Sequence, residues 1–308
     1  MLRQITRLIA GLSVVAFVTG CGGSNNDPDI VQLAQGNPDL SILVEAVDAA
    51  GLASTLKQAG PYTVLAPTNA AFAALLAELG VTKAQLLADK ALLTTVLTYH
   101  VLPAAVKRAD IPLGKAVTTV QGGIFKVEAA GTGLRITDGR NRTANITATD
   151  IVASNGLVHV IDKVILPANK NIVQTAQALP DFSILVEAVV AADLQGTLSG
   201  TGPFTVFAPT NAAFASLLTE LGVSKEALLA NKALLTQVLT YHVVAGRVLK
   251  SGVPVGTPIA TVQGDTFTID ASLAIADQRG RSAKIVATDV LTSNGVIHVI
   301  DKVILPKP

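Results

Sequence analysis

Apolar residues at Ile42, Leu43, Ala46, Val47 and Ala50 fall at the spacing of one helix face. Ser41 stands where an N-cap would, so a helix is predicted to begin there. Tyr62-Thr63-Val64-Leu65 predicts a short strand halted by Pro67. Thr68 or Asn69 then caps a helix bearing Phe72, Leu75, Leu76 and Leu79, ended by Gly80. Lys83 to Leu87 and Ala91 to Leu97 predict two more helices. From Val117 to Leu166 the helical period gives way to strands, with alternation clearest around Phe125, Val127, Leu134 and Ile136. Helices followed by strands within one unit predict an α+β fold, with helices set against a curled antiparallel sheet.

The whole pattern is written twice. Asn37-Pro38-Asp39-Leu40-Ser41-Ile42-Leu43 returns as Leu179-Pro180-Asp181-Phe182-Ser183-Ile184-Leu185, and Ala66-Pro67-Thr68-Asn69-Ala70-Ala71-Phe72 returns as Ala208-Pro209-Thr210-Asn211-Ala212-Ala213-Phe214. Leu97-Thr98-Tyr99-His100-Val101 returns as Leu239-Thr240-Tyr241-His242-Val243. Ser154-Asn155-Gly156 and His159-Val160-Ile161-Asp162 return as Ser293-Asn294-Gly295 and His298-Val299-Ile300-Asp301. A period this long belongs to a duplicated globular domain, not to a solenoid. The second copy is slightly shorter, and its missing residues fall between Ala129 and Gly133, between two alternating stretches. A Gly-containing connection of variable length between alternating stretches marks a β-hairpin. The expected division is residues 30–167 and 168–308, joined through Ala168-Asn169-Lys170.

Ahead of the first copy, Arg3 and Arg7 precede an apolar run from Leu8 to Val18 and then Thr19-Gly20-Cys21. A basic start, a short apolar core and small residues form an export signal, here residues 1–20. The run is about half of the ~20 residues that a membrane-spanning helix needs. Val18-Thr19-Gly20-Cys21 resembles the lipobox of bacterial lipoproteins, which implies lipidation of Cys21. Gly22, where such proteins carry an acid for inner-membrane retention, points to the outer membrane. Residues 21–29 read as a flexible tether.

Composition narrows the picture. Half the 308 residues are apolar but only 4% are aromatic, so the core must be built from Ala, Leu, Val and Ile. A net charge of +1 without a Lys/Arg cluster excludes the electrostatic footprint of a nucleic-acid binder. Cys21 is the only cysteine, so an intrachain disulfide is excluded. No His-x-His or His-x-x-x-His spacing points to a metal, and no cofactor motif occurs.

The ordered set Thr63-Val64-Leu65-Ala66-Pro67-Thr68-Asn69-Ala70-Ala71-Phe72, Tyr99-His100, and Ser154-Asn155-Gly156 with His159, Ile161 and Asp162 resembles the fasciclin domain family, and each element occurs twice. The resemblance implies two tandem fasciclin-like domains, each a wedge-shaped antiparallel β-sandwich with packed helices. It also implies a secreted or surface-tethered protein that adheres to a surface protein or to an envelope or matrix polymer, without catalysis. Some relatives carry carotenoids, which leaves carriage of a hydrophobic ligand as the alternative. Contact in animal relatives is associated with positions matching Tyr99-His100 and Tyr241-His242, and with an Asp-Ile pair matching Asp150-Ile151. The second copy has Asp289-Val290 there, which weakens that match.

Read from the residues alone, Tyr99-His100 ends an apolar helix and starts a strand, so both rings are expected to join the two layers. Asp150 is equally a turn acid or a binding residue. The set Ser154, His159 and Asp162 invites a catalytic reading, but on a strand His159 and Asp162 point to opposite faces. Two glycosylation sequons, at Asn141 and Asn145, read as chance in an exported bacterial protein.

Overall fold

The computed structural model describes residues 27–308; Cys21, the export segment and most of the expected tether lie outside the described residues. Pro28 and Asp29, the last residues of the expected tether, are held against domain 1. The Pro28 carbonyl accepts from Ser154 N–H at 3.1 Å, and Asp29 forms a capping box with Gln32 at the start of helix Ile30–Gln35. Lys170 and Asn171 repeat both contacts in the second domain, to Ser293 and Gln174.

Each domain is α+β and holds one seven-stranded sheet. In domain 1 the strands are β1 (Tyr62–Pro67), β2 (Val101–Leu102), β3 (Ala116–Thr118), β4 (Ile124–Ala130), β5 (Gly133–Thr137), β6 (Thr143–Ala153) and β7 (Gly156–Ile161). They lie in the order β2-β1-β7-β6-β5-β4-β3. Domain 2 repeats this with β8 (Phe204–Pro209), β9 (Val243–Ala245), β10 (Ile259–Ala260), β11 (Thr266–Ile269), β12 (Ala274–Ala276), β13 (Ser282–Thr292) and β14 (Gly295–Ile300). The expected hairpin is β4–β5, closed by Ala130 opposite Gly133. All neighbours run antiparallel except β1 with β7 and β8 with β14, which are parallel. A parallel pair needs a long crossover, and everything between Pro67 and Gly156 supplies it.

Alternation along β1 sends Val64 and Ala66 into a core with the helices and Leu65 into a second core beneath the sheet. Leu43, Ala46, Val47, Phe72, Leu75, Leu93 and Leu97 fill the first. Tyr99, Phe125, Val127, Ile136 and Ile161 fill the second. Thr68 caps helix Asn69–Leu79 by accepting from Ala71 N–H at 3.2 Å, and Gly80 ends it at φ 65°. Ser41 is not the N-cap: it is the first residue of helix Ser41–Ala50, and Leu40 holds the cap position. The missing cap is supplied from elsewhere. Asn69 accepts from Ile42 N–H at 2.9 Å and donates to the Pro38 carbonyl and to the Ser41 hydroxyl. Asn211 repeats this toward Ile184, Pro180 and Ser183.

The turn between β6 and β7 ties strands to helices in the same way. Asn155 accepts from Ile30 N–H at 3.0 Å and donates to the carbonyls of Leu56 and Gln58. Gly156 follows because β1 passes so close that a Cβ would stand 2.1 Å from the Tyr62 carbonyl oxygen. Asn294 makes the matching bonds to Ile172, Leu198 and Gly200 from a fully buried position. Replacing Asn294 with Ala orphans three backbone groups, at a cost of about 1–3 kcal/mol for each one left without water. Urea unfolding of the N294A chain is expected to show domain 2 losing stability while domain 1 unfolds at its usual midpoint.

Candidate functional site

The two Tyr-His pairs sit where a helix runs into an edge strand, and all four rings are buried. His100 Nδ1 donates to the Val96 carbonyl at 2.7 Å, and its Nε2 accepts from Ile165 N–H at 3.1 Å. His242 does the same with Val238 and Ile304. Both nitrogens are used and the ring has no room for a second proton, so burial pushes each imidazole down to about 4. Tyr99 donates to the Ile124 carbonyl and accepts from Gly139 N–H at 2.8 Å. Tyr241 donates to the Thr266 carbonyl at 2.9 Å. Burial raises both phenols far above the ordinary tyrosine value. A contact role for Tyr99, His100, Tyr241 and His242 does not fit this geometry. These rings join the helical and sheet layers.

The catalytic set does not assemble. His159 Nε2 donates to the Val106 carbonyl at 2.9 Å, and its Nδ1 accepts from Asp150 N–H at 3.0 Å. Asp162 faces away and accepts from the Asn145 backbone and side chain, both at 2.7 Å. Ser154 lies in the β6–β7 turn, its N–H spent on Pro28. Among the described residues no group of three His, Cys, Asp or Glu is placed to hold a metal ion.

His159 instead positions Asp150. It holds the Asp150 N–H at a bulge in β6, where Asp150 adopts φ 59°. A short polar side chain tolerates that left-handed conformation better than most. One carboxylate oxygen of Asp150 accepts from Arg108 N–H at 2.8 Å. Asp289 has the same frame: φ 61°, its N–H on His298, and one oxygen accepting from Lys250 N–H at 2.7 Å. In both copies the second oxygen has no hydrogen bond within its own domain among the described residues.

What it meets differs between the copies. Asp289 is buried, and its second oxygen lies 3.1 Å from Nζ of Lys126, on β4 of domain 1. Burial pulls the Lys126 ammonium down, but hydrogen bonds and charge from Glu128 and Asp289 outweigh it and hold the pKa above the ordinary lysine value. Beside this pair, the Asn141 amide donates to the Leu291 carbonyl at 3.1 Å and accepts from Leu291 N–H at 2.7 Å. Ile124 of domain 1 packs with Leu249, Leu291 and Val296 of domain 2, and Ser251 donates to the Gly114 carbonyl. Asp289-Val290 is therefore not a free contact pair, because Asp289 belongs to the junction between the domains. Ile151 and Val290 both pack half-buried on the helical cores, so the Ile-to-Val difference has no bearing on contact.

Only Asp150 remains exposed. Around it stand Val152, 69% exposed at the position of Leu291, and Lys107 at that of Leu249. A shallow groove of about 490 Å³ adjoins them, lined by Pro61, Ala105, Lys107, Ala153 and Leu157 among others. The signal that sequence reading missed is a set of equivalent positions where one copy is apolar and the other polar. Lys107 against Leu249, and Ile124 against Thr266, are two of them.

A family model described as "Fasciclin domain" matches residues 38–167 and again residues 180–306. Human periostin is 29% identical over 261 residues, covering 83% of this chain and 29% of its own length. The chain thus spans less than a third of that relative. Protein sll1483 of Synechocystis sp. is 43% identical over 148 residues, covering 48% of this chain and 79% of its own. A FAS1 domain pair from the insect cell adhesion molecule Fasciclin I is 18% identical with a TM-score of 0.44, over 88% of this chain and 98% of that one.

The neutral imidazoles set an acid limit on stability. Their folded pKa, about 4, lies below the ordinary 6.5. The stabilisation is therefore complete above pH 6.5 and is lost as pH falls toward 4. Each ring contributes up to about 3 kcal/mol of this loss. Denaturant midpoints measured from pH 7 down to pH 4 are expected to fall steeply, and less steeply in H100Q, whose side chain cannot take a proton. The same substitution is expected to cost stability at pH 7, since the Ile165 N–H or the Val96 carbonyl loses its partner.

Proposed function

The chain belongs to the fasciclin domain family, and we propose that it is a non-enzymatic adhesion protein, held at the cell envelope by a lipid on Cys21. It engages a surface protein or an envelope or matrix polymer through the exposed end of domain 1. The observation that carries this reading is the asymmetry of the two Asp frames. Every motif Tyr and His is satisfied inside the fold, and Asp289 is taken by the junction. Asp150 presents a fixed carboxylate oxygen beside exposed Val152 and a shallow groove. A rigid polar group next to an exposed apolar side chain suits recognition, since little order has to be gained on binding.

The carrier reading meets small cavities. The apolar spaces between helices and sheet hold about 30 Å³ beneath helix Ser41–Ala50, a like volume in domain 2, and about 70 and 100 Å³ beside Phe72 and Phe214. Ligand sites ordinarily reach about 300 Å³ or more. Among the described residues no helix is long and apolar enough to cross a membrane. The lipid is thus the anchor this reading relies on, and two or more acyl chains give stable attachment at about 0.8 kcal/mol per buried CH₂.

Two measurements test the proposal. C21S is expected to release the protein from the membrane fraction or leave it unprocessed, whereas migration and fractionation like wild type remove the anchor from the picture. D150N keeps the left-handed backbone tolerance and the Arg108 bond while neutralising the carboxylate, which D150A would not do. Its melting is expected to stay within about 0.5 kcal/mol of wild type, as at other surface positions. Attachment of cells bearing it to a matrix-coated surface is expected to fall, and undiminished attachment sinks the assignment to this end of domain 1.

A further inference from the structure

The junction between the domains shows what the Asp frame is built to hold. On domain 2 the docking face consists of Asp289, Leu291, Leu249 and Val296. On domain 1 the receiving face consists of Ile124 and Lys126 on β4 and Asn141 in the turn after β5. Domain 1 carries its own version of the docking face, at Asp150, Val152 and Leu157 with Lys107 in the place of Leu249, and among the described residues nothing covers Asp150 or Val152.

The two faces agree at the level of single bonds. Asp150 and Asp289 share the φ near 60°, the backbone bond to a buried His, and the one oxygen tied to a neighbouring N–H. Val152 stands opposite Leu157 in the register that Leu291 holds opposite Val296. β5 pairs with β6 only over residues 143–146, so the outer edge at Val152 is open. By that register the N–H and C=O of Val152 point outward, as those of Leu291 do toward Asn141.

We propose that the Asp150–Val152 face of domain 1 docks a further fasciclin-type domain from another protein. That domain presents an apolar residue two before a lysine on its fourth strand, and an Asn in the turn after its fifth. This rests on the adhesion reading above and names its partner. The occupant is not a second copy of this chain. Domain 1 of a second copy has its receiving face covered by its own domain 2. On domain 2 the receiving positions are Thr266, Thr268 and Gly280, which offer neither the apolar knob, the cation nor the amide. The interface is head-to-tail, so a matching pair of faces at the two ends of one chain would propagate without closing.

That logic supplies a gain-of-function test in the whole chain. T266I/T268K/G280N gives domain 2 the receiving chemistry of domain 1. Gly280 already has φ 70° and open space around it, close to the φ 61° of Asn141, so the Asn is accommodated. Light scattering coupled to gel filtration is expected to find the wild type as single chains and the triple variant as concentration-dependent chains of copies. Adding D150N is expected to raise the concentration needed for assembly about tenfold or more, as loss of one partner of a buried charge pair does. Should the triple variant melt well below wild type, T268K/G280N carries the same test with the strand residue Thr266 left in place. Variants that stay single overturn the proposal, as does assembly indifferent to D150N. Wild-type self-association that D150N abolishes would make a second copy the occupant and also overturn it. Undiminished attachment of D150N-bearing cells, by contrast, strikes the assignment of attachment to this end of domain 1, whether or not the engineered copies assemble.

Discussion

The parallel pairing of β1 with β7 is the constraint on which each domain depends. The two strands are separated in sequence by most of the domain, and their parallel pairing requires the helices between them to cross over. Strands this close leave no space for a side chain at Gly156, and the turn that delivers β7 has to be fixed at its start. Asn155 does so by satisfying the start of the first helix and the end of a later one. With β7 in place, His159 reaches across to Val106 and Asp150, and the residues after β7 bring Ile165 N–H to His100. The motifs that mark the sequence are thus mainly solutions to one problem, which is satisfying backbone groups buried at a long-range crossing.

The same solution explains why these histidines are poor candidates for chemistry. An imidazole that spends one nitrogen as donor and the other as acceptor to backbone is fixed in a single tautomer. It has no lone pair to offer a metal and no free site to exchange a proton with a substrate. Its value to the fold is that it matches one C=O and one N–H at once in a space that water does not enter. Asp138 plays the corresponding role for the turn after β5, accepting from Arg140, Arg142 and Leu166. That turn places Asn141, so a residue of the domain junction inherits its position from a buried carboxylate.

Much of this was legible in the chain. The helical spacing from Ile42, the Thr68 cap and the hairpin at Ala129–Gly133 follow from periodicity and from comparing the copies, because these are local properties. The parallel pair is not local, and alternation alone says nothing about which strand lies beside which. Spacing rules look only at neighbours and so place the cap at Ser41, whereas the group that completes that helix start is Asn69, well separated in sequence. The burial of Asp289 is not local either: the Val after it marks a departure from the Asp-Ile pair, but its partner Lys126 lies in the other domain. Comparison of the copies did hold the answer. Val152 and Leu291, Lys107 and Leu249, and Lys126 and Thr268 differ where the two domains meet and at the matching free surfaces.

A duplicated domain that docks on itself carries the hazard of endless self-association. Identical copies would each carry a docking face and a receiving face, and a head-to-tail contact that joins one pair joins the next as well. Here the receiving face survives on one copy only. Thr268 replaces the lysine that a buried carboxylate requires, and a carboxylate desolvated without its cation is strongly unfavourable. The buried Lys126–Asp289 pair is therefore better understood as a selector than as a source of stability, because an apolar pair of equal size would hold the domains together but would admit more partners. Glu128, half-exposed beside Lys126, adds a second carboxylate at 3.1 Å and keeps the ammonium charged while it is buried. Specificity at this junction lies in which copy keeps the cation, and among the described residues the exposed Asp150 has no ion-pair partner of its own.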